Sequence, residues 1–259
     1  MYLIAGRACA LLANASMDYG QYRDAMRQAR TAWTLADRAG HVELQAWIRG
    51  MQSSIAYWSG RPREAAQFAA AGENLPTRGT ICVFLASLEA RALGRLGDVA
   101  GVEAAVRKAL AAREKASVDE IGGVFAFPEA KQHLYAGSAY AWLNCPQKAQ
   151  AEATRAITLY EAGAPEDRSY GDEAGARLDL ALAHLHQESL DGARAAASPV
   201  LQLPVELRVS SIGQRLGRIA RILTEQYRNA GEARTFLDEI AEFQSLTTRR
   251  QLPAGTIKD

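Results

Sequence analysis

Apolar residues recur along this chain at helical spacing, and the stripes come in pairs. In segment 42–59, Leu44, Trp47, Ile48, Met51, Ile55 and Trp58 fall at offsets of 0, 3, 4, 7, 11 and 14, which puts them on one face of an amphipathic helix. Gly60-Arg61-Pro62 stops that stripe, since glycine ends a helix and proline is tolerated at the start of the next. An alanine-rich helix follows from about Arg63 to Gly72. The preceding stretch has the same form. A helix through Leu11 and Leu12 ends at Asp18-Tyr19-Gly20, and a second carries Tyr22, Ala25, Met26, Ala29, Ala32, Trp33 and Ala36 on one face.

The unit repeats to the end of the chain. Helix 81–96 stops at Gly97-Asp98 and its partner runs to about Lys115. Helix 129–143 stops at Asn144-Cys145-Pro146, with a partner to about Ala162. Helix 172–187 turns near Glu188-Ser189 and its partner ends before Pro204; helix 206–228 turns at Asn229-Ala230-Gly231 and its partner ends near Leu246. Ala25, Ala65, Ala149, Ala193 and Ala233 each follow a turn by a few residues, at separations of 40, 84, 44 and 40. A period near 40 exceeds the ~34 residues of a standard tetratricopeptide repeat and keeps HEAT-like repeats in contention. Gly20, Tyr22, Ala25 and Ala32, and again Gly137, Tyr140, Ala149 and Ala156, still fit the tetratricopeptide order of small and aromatic residues. Val102 in the third pair and Arg221 in the sixth replace an expected small residue.

The pattern predicts an all-α fold, a tetratricopeptide-like right-handed α-solenoid of about six antiparallel helix pairs. One repeat domain spans 1–246, in pairs of about 1–40, 41–73, 79–115, 129–163, 170–203 and 205–246, and 247–259 is a flexible tail. A lone pair cannot bury its apolar face, so stacked neighbours share an interior. The first helix of each pair then lines a concave groove.

Residues 116–128 break the rhythm, and connections of this length are often functional. Gly122-Gly123 permits unusual backbone angles, and Phe125 and Phe127 are large apolar groups on a loop. Two readings stand: the aromatics plug a gap between halves of the solenoid, or the loop is a lid over the groove.

Composition narrows the function. The chain has 259 residues, 48% hydrophobic and 23% charged, with 30 Lys+Arg against 29 Asp+Glu. That is enough apolar material for a packed core and lacks the basic excess of a nucleic-acid-binding domain. No apolar run reaches the ~18 residues of a transmembrane helix. The first fifteen residues lack the charged leader of a signal peptide, and a cytoplasmic location is expected. Cys9, Cys82 and Cys145 are far apart and odd in number, which fits reduced, buried thiols.

No Walker loop, nucleophile elbow or HExxH motif occurs, so an enzyme is not expected. No cofactor or metal is expected either. His184 and His186 are two apart and diverge on a helix, and Glu129 with His133 is too small a set for a metal. Glu166-Asp167 and Asp172-Glu173 read as solvated carboxylates at helix starts. The groove candidates are polar or aromatic residues on first helices: Arg49, Gln52 and Ser53; Lys131, Tyr135 and Tyr140; Arg177 and His184; Arg215 and Arg218, with Arg208 and Arg221 nearby. A row of unpaired arginines in a groove would attract a carboxylate or another anion.

Two stretches carry a resemblance. One is Ala32-Trp33-Thr34-Leu35-Ala36-Asp37-Arg38-Ala39-Gly40-His41, followed by Ala46-Trp47-Ile48-Arg49-Gly50-Met51-Gln52-Ser53 and Ala56-Tyr57-Trp58. The other is Phe125-Ala126-Phe127-Pro128-Glu129-Ala130-Lys131, followed by Tyr140-Ala141-Trp142. Both resemble the C-terminal tetratricopeptide region of Xre-type helix-turn-helix transcriptional regulators of actinobacteria such as Streptomyces. The resemblance implies a ligand-sensing repeat region behind a DNA-reading domain. The chain begins inside the first repeat helix, so DNA binding is not carried over. The expected role is a regulatory sensor that binds a peptide, a small effector or a partner protein in its groove. The alternative is a constitutive protein–protein interaction scaffold. The uncapped first helix at an open solenoid end leaves room for a homodimer.

Overall fold

The computed structural model describes residues 1–119, 122–164 and 168–248. Among these residues there are twelve α-helices and no strand. The helices form six hairpins: α1 (Tyr2–Asp18) with α2 (Tyr22–Arg38), α3 (Val42–Trp58) with α4 (Pro62–Glu73), α5 (Ile81–Leu96) with α6 (Val99–Lys115), α7 (Glu129–Trp142) with α8 (Pro146–Ala162), α9 (Tyr170–His186) with α10 (Leu190–Leu201), and α11 (Ser210–Gln226) with α12 (Gly231–Thr248). Each helix packs on its hairpin partner, and successive odd-numbered helices from α3 to α11 pack on one another, as an α-solenoid requires.

One turn geometry makes five of the six hairpins. Gly20, Gly60, Gly97, Asn144 and Glu188 all hold positive φ between 54° and 80° in the residue just before the cap of the second helix. Glycine takes that conformation without a Cβ penalty, and asparagine tolerates it better than most residues. Local chemistry then starts the next helix. Asp98 accepts a hydrogen bond from the Gly101 N–H at 2.9 Å, and Pro62 and Pro146 occupy first-turn positions whose N–H would lack a partner.

Small residues set the spacing between helices. Ala25, Ala65, Ala149, Ala193 and Ala233 are all buried at crossings, and Val102 takes the same role in the third pair. α5 and α7 approach closely: a Cβ on Gly94 would lie 2.7 Å from the Ala139 carbonyl oxygen. Gly94→Ala is therefore expected to cost about 1–3 kcal/mol through helix displacement. Gly213→Ala, at a site with nothing within 4 Å, should stabilise by up to about 1 kcal/mol through helix propensity. Urea denaturation of the two variants checks the contrast.

The apolar interior falls into clusters that share helices. One cluster runs from α1 to Ala176 on α9, and the next begins at Ala174 and Leu178 on the same helix and runs to Phe243. The helix boundaries differ from the sequence expectation at a few ends. Ser169 caps α9, so it starts at Tyr170. α11 starts at Ser210 rather than 206, because a 3-10 turn over Val205–Leu207 intervenes and Arg208 bonds the carbonyls of Leu203 and Phe243, at 2.9 Å each. α12 takes in the first two residues expected for the tail, and 249–259 lies outside the described residues.

The solenoid is not open from end to end. It curls until its first pair meets its last. The Tyr22 hydroxyl lies 2.8 Å from Ser210 Oγ, and Gln214 Nε2 donates to Tyr22 Oη at 2.6 Å and to the Trp58 carbonyl at 3.1 Å. This clasp joins the α1–α2 turn to α11. No helix among the described residues is long and apolar enough to cross a membrane.

Candidate functional site

The curl turns the concave face into a cavity of about 670 Å³. That lies within the 300–1,000 Å³ range typical of small-molecule sites. Every odd-numbered helix contributes to its wall: Asp18 from α1, Trp58 from α3, Arg91 from α5, Lys131 from α7, Asp172 from α9 and Arg215 from α11. A second chamber of about 310 Å³ adjoins it, with Trp58 and Arg215 lining both.

The turn geometry explains which side chains face inward. Six residues before the positive-φ residue stand Asn14, Ser54, Arg91 and Ser138; two before it stand Asp18, Trp58, Arg95 and Trp142. All eight line one chamber or the other. The two positions are four apart, hence stacked on one helix face.

Arg91 is the largest fully buried side chain, 2% exposed. Its guanidinium carbon lies 4.3 Å from the Tyr57 ring centroid and 4.0 Å from that of Tyr135, with Trp58 at 5.5 Å. Its Nε and Nη2 have no hydrogen-bond partner. Lys131 pairs with Asp172 at 3.1 Å. Burial pushes the ammonium down, but Asp172 outweighs it and holds Lys131 above its ordinary value. Arg215 pairs with Asp179 at 3.2 Å, and Ser138 bridges them by donating to Asp179 while accepting from Arg215. Here too burial opposes the charge, and Asp179 raises the guanidinium pKa nonetheless. In the second chamber Arg218 lies 3.9 Å from the Trp142 ring centroid and donates to the Ala141 carbonyl at 2.7 Å.

Asp18 is pushed up to about 6 by burial and by the Asp172 charge, against a smaller opposing pull from Lys131. A carboxyl whose native pKa is raised binds more protons folded than unfolded, so stability falls as pH rises from about 4 to 6. Asp18→Asn is expected to stabilise the fold by about 1–2 kcal/mol at pH 7 after solvent screening, and to change little at pH 4. Thermal unfolding at both pH values checks this.

The 116–128 connection is anchored by its aromatics and forms part of the cavity wall. Gly123, Val124 and Phe125 form a 3-10 turn whose Val124 carbonyl accepts from Trp47 Nε1 at 3.2 Å. Phe125 packs on Trp47, with ring centroids 4.8 Å apart, and Phe127 is buried between Phe84 and Tyr135. These aromatics anchor the loop. Between and around them Gly123, Val124, Ala126 and Pro128 form cavity wall. Gly122 is exposed with open space around it, and Glu120 and Ile121 lie outside the described residues.

Of the ten groove candidates, Lys131, Tyr135 and Arg215 line the cavity and Arg218 lines the second chamber. The other six lie elsewhere. Arg49 stacks on Trp33 of α2 at 3.7 Å and bonds Gln52, so both belong to the contact with second helices. Ser53 is fully buried with an unpartnered hydroxyl. Tyr140 lies under Lys148 of α8, and burial, with the Glu103 charge of α6 behind it, raises its pKa to about 12. Arg177 pairs with Glu161 and Glu173, and His184 abuts Gly192 of α10. The physical reason is common to them. A first helix packs on second helices as well as facing the hollow, so a polar residue interleaved with its apolar stripe has two destinations.

Asp172 and Glu173 are not solvated caps: one pairs with Lys131, and the other with Arg168 and Arg177. Glu166-Asp167 lies outside the described residues. His133 pairs with Glu152 at 2.6 Å and Glu129 at 3.5 Å, which raises its pKa against burial. His186 is pushed down by burial and Arg218. The three cysteines are free and half-buried rather than buried. Arg91, Asp18 and Asp179 went unmarked in the sequence, although counting back from the turns finds the first two. The chain is thus an all-α helical-repeat protein with a charged concave cavity. No family model matches it, and no curated protein matches it in sequence.

Proposed function

We propose that this chain is an effector-binding sensor module of a regulatory protein, and that a small molecule or short peptide occupies its concave cavity. The observation that carries this reading is the clasped cavity itself. A ligand there would touch α1 and α11 at once, the two ends joined by Tyr22, Ser210 and Gln214. Such a ligand favours the curled state over a relaxed one, which is the differential interaction a sensor needs. The joined ends favour a small effector over a partner protein laid along the whole length of an open groove. The resemblance to regulator repeat regions agrees with this role.

The test joins two spin labels, one on α1 and one on α11, with distance measurement before and after addition of fractionated small-molecule and peptide pools. A fraction that narrows the distance distribution supports the sensor. A fraction that binds without altering it would favour a constitutive scaffold. No binding from any pool, together with no compound released from the purified protein on denaturation, would refute the reading.

A further inference from the structure

We infer that the cavity's occupant is an organic oxyanion, a carboxylate or phosphate on an apolar body, and that Arg91 is the residue that recognises the charged group. The inference rests on the reading of the cavity as a ligand site and names the ligand's chemistry.

Three observations support it. First, Arg91 is deeply buried yet lacks an acceptor on Nε and Nη2. Its guanidinium carbon lies over the Tyr57 and Tyr135 rings, 4.3 and 4.0 Å from their centroids. Stacking satisfies the faces of a guanidinium and leaves its edge donors. Nε and Nη2 form one edge, a fork that matches two oxygens of a carboxylate or phosphate; both atoms are closed off from solvent, so an oxyanion reaches them only as the side chains between them and the cavity give way. A buried guanidinium without hydrogen-bond acceptors is costly, so an acceptor from outside the chain stabilises it strongly. Second, two of the three carboxylates lining the chambers are committed to cations, Asp179 to Arg215 and Asp172 to Lys131, and the third, Asp18, accepts from Asn14 at 3.3 Å. Third, the two chambers are lined by seven Lys or Arg and only three Asp among the described residues, whereas the whole chain has a net charge of +1. Lys131 feels Arg91 as a repelling charge, the situation an anion between them would relieve. The same cavity offers Met17, Val124, Leu134 and Val209 to an apolar body.

The test uses matched probes: decanoate and decanamide, 4-phenylbutyrate and 4-phenylbutyramide, decyl phosphate, and inorganic phosphate alone. Binding is read by calorimetry and by the fluorescence of Trp58 and its neighbours. An acid at least tenfold tighter than its amide supports the inference, as does a tenfold or larger loss in Arg91→Gln with partial recovery in Arg91→Lys. Decyl phosphate tighter than decanoate would assign phosphate as the source of the oxyanion; the reverse would assign carboxylate. The acid–amide comparison in the native protein needs no variant to fold, and circular dichroism qualifies both variants. An amide within threefold of its acid, or an Arg91→Gln protein that binds acids as the native one does, overturns the inference while the cavity remains a ligand site. If no probe binds, the oxyanion is overturned, and the spin-label experiment decides separately whether the cavity takes any ligand.

Discussion

Asp179→Ala should lower the stability of the folded chain by about 3–5 kcal/mol, because it strands a buried guanidinium. Asp179 and Arg215 are both nearly inaccessible, 3% and 8% exposed. Arg215 has two side-chain hydrogen-bond partners, Asp179 and Ser138, and it also lies over the Trp58 ring at 4.8 Å and against Gly175. Removing the carboxylate takes away its one direct ion-pair partner and leaves the buried charge with the Ser138 hydroxyl, the Trp58 ring and the more distant Asp172 charge. The cost is that uncompensated charge, not the worth of the ion pair. The distinction is measurable. Asp179→Leu with Arg215→Met removes both charges at similar volume and should recover all but about 1 kcal/mol of the native stability. Urea denaturation of the single and double variants gives both numbers. A loss under 1 kcal/mol for Asp179→Ala would mean that water reaches Arg215 freely. The pair joins α9 to α11, so the same variant should also loosen the clasp end of the solenoid.

The helical-repeat architecture was legible because it depends on spacing, and spacing survives in a single sequence. Leu44, Trp47, Ile48, Met51 and Ile55 announced α3, and Gly60 and Pro62 its end, since each acts within a turn or two of itself. Even the poorly matching third and sixth pairs formed, as burial against neighbours outweighs motif identity. The cavity was only half legible. Tyr135 and Arg215 line it, but Arg49 and Tyr140 have the same sequence character and point to second helices instead. What separates them is rotation about the helix axis, and the positive-φ turn fixes that rotation. Arg91 was passed over because an arginine in an alanine-rich helix looks like solvated surface. Its burial arises from Tyr57 and Tyr135, 34 and 44 residues away. The closure by Tyr22, Ser210 and Gln214 was illegible for a related reason: it spans 188 and 192 residues, and the small rotations between pairs that bring the ends together leave no local mark.

Phe127→Ala is expected to cost about 3–5 kcal/mol, as large aromatic truncations in packed cores do. Its ring lies 5.2 Å from Phe84 and 5.5 Å from Tyr135, centroid to centroid, so it joins α5 to α7. Its backbone is held as firmly: the N–H donates to Thr80 Oγ1 at 2.8 Å, and the carbonyl accepts from Arg113 Nη2 at 2.7 Å. Phe125 is half-buried on Trp47 alone among aromatics, so Phe125→Ala should cost only about 1–2 kcal/mol. This ordering separates the two roles of the loop. A lid must open at little cost, and its removal would speed ligand exchange without unfolding the protein. A plug is part of the core, and its loss should weaken the Tyr135 face on which Arg91 stacks. Denaturation measures the first difference, and hydrogen exchange at the start of α7 measures the second. Near-native stability in Phe127→Ala with faster exchange of a bound probe would make the whole segment a lid. The predicted loss makes Phe127 the fixed post of the cavity wall, which leaves movement on ligand entry to the clasp between α1 and α11.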